Sequence, residues 1–208
     1  MQPFDYVSYQ NKIIEQSLSL IGDGSDGRLI ALMAELLPGL ENELQHHLTA
    51  EDRRRVACFA GCGTCCMVNV SVLMPEAVNI VAYLRCNRSK EELRRLYDEM
   101  EIFVAAISDL DEEERIAMRR SCIFLDAVGR CTIYPVRPLL CRSITSTDAQ
   151  VCRDSLTMQA LGEEIPIMMN LFQKNLFDIA YQAVAKALTR RGLDAHGYEM
   201  TAAVMRCS

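Results

Sequence analysis

Four cysteines lie within the short run CFAGCGTCC, between positions 58 and 66. Gly61 and Gly63 stand among them, and glycine permits the tight backbone reversals that bring neighbouring side chains to one side of a loop. Such a run cannot form regular helix throughout, so it predicts an irregular loop that gathers thiols. This loop limits how the rest of the chain can fold, because other elements must support it.

The other cysteines of the ten in this 208-residue chain are partly grouped as well. Three belong to the segment CIFLDAVGRCTIYPVRPLLCR, which places them at Cys122, Cys131 and Cys141. Cys152 follows and is a further candidate for the same chemistry. Cys86 and Cys207 are isolated, and we interpret them as small buried hydrophobes.

The expected compartment and the net charge of the chain limit which ligands and partners the thiols can have. The opening sequence MQPFDYVSYQNKIIEQ has no basic segment followed by an apolar one, so we expect a cytoplasmic protein. In a reducing cytosol, clustered thiols indicate metal or redox chemistry rather than disulfides. The uncharged stretch 56–75 contains glycines and four cysteines, which argues against a membrane span. With a net charge of −6 and no basic block, we expect neither nucleic acid nor a membrane as partner.

Apolar residues recur at helical spacing along most of the remaining chain. The predicted helices cover 4–21, 28–48, 75–85, the segment from a Ser89 capping box to Ile107, a solvated stretch 111–120, and the region between Pro166 and Gly192. Pro38 is expected to kink or split the second of them. Alternating valines in 68–72 predict a short extended piece, and two β-type runs around 127–130 predict a small hairpin.

These patterns predict a mainly α fold, in which a helical domain carries an irregular cysteine-rich metal-binding module with a small β-hairpin. We expect a single domain over 1–208, because there is no internal repeat or low-complexity linker. It would consist of N-terminal helices in 1–57, the cysteine-cluster module in 58–145 and C-terminal helices in 146–208.

Thiolates bind soft metals, and two ligand groups far apart in sequence would crosslink the fold when they share a metal. A structural zinc site needs four ligands, usually in regular knuckles, whereas seven or eight candidates are present here. An iron–sulfur cluster accepts less regular spacing and often has a proline near a ligand, as Pro138 is near Cys141. We therefore favour an iron–sulfur cluster slightly over zinc and keep both.

The run C-x3-C-x2-C-C, followed by CIFLD, GRCTIY and RPLLCR, resembles the YkgJ family of cysteine-cluster proteins, described as a zinc- or iron-chelating domain. The resemblance covers about residues 58–142. It implies that the metal site contains Cys62, Cys65, Cys66, Cys122, Cys131 and Cys141. Cys58 is added as a ligand, although the family usually places two residues, not three, between its first two cysteines.

Four other residues match positions of that family: Glu76, Tyr134, Arg137 and Arg142. We expect Tyr134, Arg137 and Arg142 to contact the cofactor. From the residues alone, the two arginines flank Cys141, where a cation would offset the charge of several thiolates. They could equally bind an acidic substrate group or pair with a surface carboxylate.

Three functions stay open, and the sequence does not decide whether the chain is an enzyme. The first is a metal-binding protein with an iron–sulfur cluster or zinc and an option for redox activity. The second is an S-adenosylmethionine-dependent protein-modifying enzyme, because the same domain resembles part of flagellin lysine N-methylases. The third is a structural zinc module that binds a protein partner. The spacing of the first three cysteines also equals that of radical S-adenosylmethionine enzymes, but no alternating strand–helix pattern follows it.

Overall fold

The computed structural model describes residues 4–208 and confirms the mainly α fold. Within that range the helices are α1 (Tyr6–Ile21), α2 (Asp26–His47), α3 (Ala50–Arg55), α4 (Met74–Asn87), α5 (Lys90–Ile107), α6 (Glu112–Ala117), α7 (Leu139–Ser143), α8 (Ala149–Gln159), α9 (Leu171–Arg190) and α10 (Met200–Arg206). Two short 3-10 turns lie at Thr64–Met67 and Tyr134–Val136. No helix among the described residues is long and apolar enough to cross a membrane.

The predicted helix starts follow capping chemistry. Asp5 caps α1 by accepting a 3.0 Å hydrogen bond from the Ser8 amide. The Ser89 capping box opens α5, since the Glu92 carboxylate accepts from the Ser89 amide at 2.8 Å and the Ser89 hydroxyl accepts in return. Pro38 does not split α2, which continues through it as one helix.

The β structure is smaller than the sequence suggests and lies partly elsewhere. The extended piece at 68–72 contains β1 (Ser71–Val72), which pairs antiparallel with β2 (Tyr198–Glu199) near the end of the described chain. The predicted hairpin is reduced to one antiparallel bridge between Leu125 and Cys131. Its ends are instead fixed by burial, because Phe124 and Ile133 are almost fully enclosed in the core.

The buried side chains form two clusters. The first lies among α1, α2 and α9, with Leu73, Val78 and Leu139 added at its edge. The second lies among α4, α5 and α10 and includes Phe124 and Ile133. Helix α4 contributes to both clusters, so it joins the long helices to the segment that carries the downstream cysteines.

Candidate metal centre

All seven cysteines predicted as ligands line one cavity of about 600 Å³. They come from three separate parts of the chain: Cys58, Cys62, Cys65 and Cys66 from the first loop, Cys122 and Cys131 from the reduced hairpin, and Cys141 from α7. Cys152 is outside the cavity wall, on α8. Cys86 is exposed, so our interpretation of it as a buried hydrophobe is wrong.

Backbone hydrogen bonds hold the first loop against the other two segments. The Cys122 amide donates to the Cys66 carbonyl at 2.8 Å, and the Ala57 amide donates to the Ser146 carbonyl at 2.7 Å. Inside the loop, the Cys66 amide donates to the Gly63 carbonyl at 3.1 Å, which forms the 3-10 turn. These bonds replace side-chain burial as the means of fixing the loop, since none of residues 56–70 is buried.

Two glycines let the loop and the hairpin touch through their backbones. Gly61 has φ +98° and Gly129 has φ +77°, a region that L side chains rarely adopt. A Cβ atom on Gly129 would lie 2.8 Å from the Gly61 carbonyl oxygen. Glycine at position 129 is therefore needed both for its dihedral angle and for the close approach of the two segments.

The hairpin turn is organised by Asp126. Its Oδ1 accepts from the amides of Val128 at 3.0 Å and Arg130 at 2.8 Å. Its Oδ2 pairs with the Arg130 guanidinium at 2.9 Å. On the far side of the turn, the Thr132 amide donates to the Phe124 carbonyl at 2.8 Å. The turn thus brings the two hairpin cysteines to the same cavity.

Arg142 lies beneath the Tyr134–Val136 turn and is not part of the cavity wall. Its Nε donates to the Arg137 carbonyl at 2.7 Å, and its Nη2 donates to the Pro135 carbonyl at 2.9 Å. Its Nη1 pairs with Glu41 of α2. The side chain is 8% exposed. Its direct contacts are thus protein carbonyls and a carboxylate, and a role in cofactor binding stays a prediction.

Glu76 fixes the start of the helix that carries Cys141. One carboxylate oxygen accepts from the Leu73 amide at 2.8 Å, and the other accepts from the Leu139 amide, the first residue of α7, at 2.7 Å. Burial raises the pKa of Glu76 to about 7, although both amides and the nearby Arg142 favour the charged form. Glu76 therefore links α4 to the site through backbone groups rather than through the thiols.

Tyr134 and Arg137 line the cavity, as two of the three predicted cofactor contacts. Tyr134 is 60% exposed, and the Arg137 guanidinium carbon lies 5.0 Å from the centre of its ring. The Nε of Arg137 is buried and has no hydrogen-bond partner in residues 4–208. A buried donor of this kind is costly, so it indicates a site for an acceptor that protein atoms do not supply.

The thiols influence one another strongly. The pKa of Cys65 is lowered to about 6, because the Cys66 thiol donates a hydrogen bond to it and Arg137 lies nearby. The same hydrogen bond, together with burial, raises the pKa of Cys66. Burial raises the pKa of Cys122 to about 12, with a smaller contribution from Cys131.

The pKa of Cys141 is also raised. Burial is the largest influence on its pKa and raises it, the nearby Arg137 opposes that rise, and the thiols of Cys122, Cys65 and Cys131 add to it. Thiolates buried this close together repel one another unless a cation lies among them. A metal ion or cluster would supply that cation and stabilise the deprotonated form.

The donor set fits a thiophilic metal. No histidine of residues 4–208 lines the cavity, and its thiol sulfurs are ligands for zinc and for iron–sulfur clusters. Those residues do not contain a preformed group of three or more Cys, His, Asp or Glu side chains set for metal binding. A metal would have to draw the thiols of the three segments together, so binding and local folding would be coupled.

Three further lining residues of the cavity were not predicted from the sequence. They are Phe103, Arg115 and Glu199. The segment 111–120 was expected to be a solvated helix, yet Arg115 on α6 is only 2% exposed. The three glutamates that precede Arg115 are typical of an exposed first helical turn. They therefore gave no sign that the next residue would be buried.

One comparison with known proteins gives a match. A family model named CxxCxxCC and described as "Putative zinc- or iron-chelating domain" matches residues 57–160, half of the chain. The match covers the first cysteine loop, the hairpin, α7 and α8. Neither the curated proteins nor the solved structures gave a match.

Proposed function

Because the chain belongs to the CxxCxxCC family of zinc- or iron-chelating domains, we propose that it holds a metal centre on the thiolates that line its cavity. One observation carries the proposal: seven cysteines from three separate segments line a single cavity, while the isolated Cys86 lies outside it. Burying thiols merely as small hydrophobes would not require them to share one cavity wall.

We favour an iron–sulfur cluster over a single zinc ion. Five thiols are close enough to affect one another's pKa: Cys65, Cys66, Cys122, Cys131 and Cys141. The thiols of Cys62 and Cys65 contribute to the raised pKa of Cys58, so Cys58 lies near this set. One zinc ion takes four ligands, so it would leave several of these thiols unused. An iron–sulfur cluster is likewise held by four cysteines, so the surplus thiols favour two metal centres. The preference for a cluster rests on the irregular cysteine spacing and on Pro138 near Cys141.

Arg137 would then act on the charge of the centre. Several thiolates around one metal carry a net negative charge, and a guanidinium beside Cys65 would offset it. The unpartnered Nε of Arg137 is a donor for which a metal-bound sulfur is a suitable acceptor. In a redox centre, such a hydrogen bond would favour the reduced form.

The deciding experiment is metal and acid-labile sulfide analysis, with an absorption spectrum, on protein purified without oxygen. Iron with sulfide and a visible band that bleaches on reduction would support an iron–sulfur centre. Stoichiometric zinc without colour would support a structural zinc module that binds a protein partner instead of an iron–sulfur centre. Protein that binds neither zinc nor iron after reconstitution would contradict the proposal.

A pair of matched variants tests the ligand assignment. Cys141→Ser removes a partly buried thiol of the cavity, and Cys86→Ser removes an exposed thiol outside it. We expect the first variant to lose most of its bound metal on dialysis, since even a residue that supports a ligand commonly contributes about 10–100-fold to metal affinity. The second should keep the wild-type stoichiometry. Equal metal content in both variants would remove Cys141 from the ligand set.

The volume of the cavity favours a second candidate, an enzyme that modifies a protein with S-adenosylmethionine. About 600 Å³ is more space than a metal ion fills, and Tyr134 and Arg137 lie on its wall. Calorimetric titration of S-adenosylmethionine into the metal-loaded protein tests this candidate. Binding, followed by release of S-adenosylhomocysteine in the presence of a lysine-rich protein, would support it. If S-adenosylmethionine gives no heat of binding, this enzymatic role is excluded and the metal-centre proposal is unaffected.

A further inference from the structure

Arg115 is a buried cation with a donor that the protein leaves unpaired. It lies on α6, is 2% exposed and lines the cavity. Its Nη1 donates to the Arg120 carbonyl at 2.7 Å, and its guanidinium carbon lies 5.0 Å from the centre of the Phe103 ring. These two contacts hold the guanidinium plane in one orientation.

The other edge of the same guanidinium has no acceptor. Nε is buried without a partner, and Nη2 makes no hydrogen bond within residues 4–208. Glu199, Cys122 and Glu112 are near enough to favour the charged form, but no carboxylate among the described residues forms an ion pair with Arg115. A buried donor on a charged group is costly to leave unpaired, and Nε is such a donor. An oriented but empty edge therefore points to a ligand.

The chemistry of that edge selects the ligand class. Nε and Nη2 present two parallel N–H groups, which match the two oxygens of a carboxylate. The surrounding wall is largely apolar, and includes Val70, Ile133 and Met200. A cavity of about 600 Å³ would hold roughly twenty waters at about 30 Å³ each, so a small organic molecule fits beside a metal.

We propose that the cavity binds a small organic carboxylate, with the Nε–Nη2 edge of Arg115 holding the carboxylate and the apolar wall covering the rest of the molecule. The thiols line the same cavity, so the ligand lies next to the metal centre. This site goes beyond metal binding and holds whether the metal is zinc or iron. It assigns Arg115 to the ligand and Arg137 to the thiolates.

Benzoate is a suitable probe because it carries one carboxylate on an apolar ring and is a weak chelator. Benzamide has nearly the same shape without the charge. Calorimetric titration of both into the metal-loaded protein should give saturable binding of benzoate and at least about tenfold weaker binding of benzamide. Equal binding of the two, or no binding of benzoate, would overturn the proposal without affecting the metal content.

Variants locate the site. Arg115→Lys keeps the charge but loses the two-pronged edge, and should weaken benzoate binding about tenfold or more, while Arg115→Met should abolish it. Arg130→Lys is the control, because Arg130 lines the same cavity but already pairs with Asp126. Metal stoichiometry is measured on each variant. If Arg115→Lys binds benzoate as the wild type does, or if its main effect is loss of metal, Arg115 serves the protein or the metal and the proposal fails.

Discussion

The long helices and the first cysteine loop are stabilised by different means. In α1, α2 and α9, the core side chains are at most 7% exposed and pack against one another. In residues 56–70, by contrast, no residue is buried. Ordering the backbone costs about 1–2 kcal/mol per residue in either region. The helices offset that cost by apolar burial. Residues 56–70 have little of it, with Val70 packed against the second cluster, and rely mainly on backbone hydrogen bonds, glycine contacts and thiols.

This difference explains how one chain combines a stable framework with an adaptable site. The framework specifies its own structure through side-chain packing. The loop takes its structure from groups outside it, such as Cys122 through its amide and Ser146 through its carbonyl. A metal that joins the loop, the hairpin and α7 would add the missing stabilisation. The loop should therefore respond to metal loss, to support from neighbouring residues and to backbone substitutions far more than the helices do.

Metal removal should have the largest effect and should be confined to the module. After chelation, we expect amide exchange in 58–67 and 122–134 to accelerate by about a hundredfold or more, because the crosslink between their thiols is lost. Exchange in α1, α2 and α9 should stay nearly unchanged. Hydrogen exchange with mass spectrometry measures both regions in one sample.

The Cys122 amide is the most informative single probe, since it bonds to the Cys66 carbonyl across the two segments. If chelation accelerates exchange equally in the long helices and in the loop, the two regions form one cooperative unit and the comparison breaks down. Chelation of the Cys141→Ser variant is the control, and it should change exchange little because that variant already lacks the metal.

Arg142→Met should have the next largest effect. The change leaves the carbonyls of Pro135 and Arg137 without their donor and breaks the pair with Glu41. We expect a loss of about 3 kcal/mol in the free energy of unfolding, since the site is buried. Urea denaturation measures it. Arg130→Met is the matched control, because the Arg130 side chain is 66% exposed and its ion pair with Asp126 should contribute less than about 1 kcal/mol.

If the two arginine variants lose the same stability, Arg142 does not support the module through its buried bonds. The metal content of Arg142→Met adds a second test. Cys141 precedes Arg142 and lies four residues after Arg137, whose carbonyl Arg142 holds in place, so we expect weaker metal retention than in Arg130→Met. Unchanged retention would mean that α7 keeps its position without the guanidinium.

The sequence predicted the framework better than the site. Apolar spacing and the Ser89 capping box were enough for the main helices, because local patterns encode them. The cysteine loop was recognisable from composition, and the cavity brings together the residues that composition singled out. Pairing of Ser71 with Glu199 was not predictable, since it joins distant residues through backbone groups. Burial of Arg115 was not predicted for a related reason. The charge pattern of a segment describes one face of its helix, but it does not show which distant residues pack against that face.

Gly129→Ala tests the backbone contact between the loop and the hairpin. Gly162 provides a matched control, since its φ of +76° is nearly that of Gly129 at +77° but no atom would contact an added Cβ there. The left-handed angle alone costs about 1–2 kcal/mol. Only at Gly129 does the Cβ also meet the Gly61 carbonyl, at 2.8 Å, so we expect a further loss of about 1–3 kcal/mol there.

Urea denaturation of both glycine variants, with metal analysis, measures the difference between them. Gly162→Ala should keep its metal, because it leaves the cysteine segments untouched. Equal destabilisation of the two variants would mean that the loop moves away from the hairpin at little cost, and that the contact does not hold the site together.

Glu76 tests the junction between the two regions through the pH dependence of stability. Burial raises its pKa from 4.5 to about 7, so between these values the folded protein holds a proton that the unfolded chain releases. The free energy of unfolding should therefore fall as pH rises through this window, by up to about 1.4 kcal/mol per pH unit. Above about pH 7 both states are ionised and this contribution no longer changes.

Glu76→Gln removes the titration while leaving one carbonyl oxygen for the amides of Leu73 and Leu139. The difference in unfolding free energy between wild type and variant cancels the pH dependence of the thiols, which both proteins share. Urea denaturation at about pH 5 and about pH 8 should show a wild-type advantage that shrinks with rising pH. A constant advantage would mean that the two amide donors and Arg142 keep Glu76 ionised throughout. Glu76 would then hold the start of α7 as a carboxylate at every pH tested. Its titration would not affect the position of Cys141.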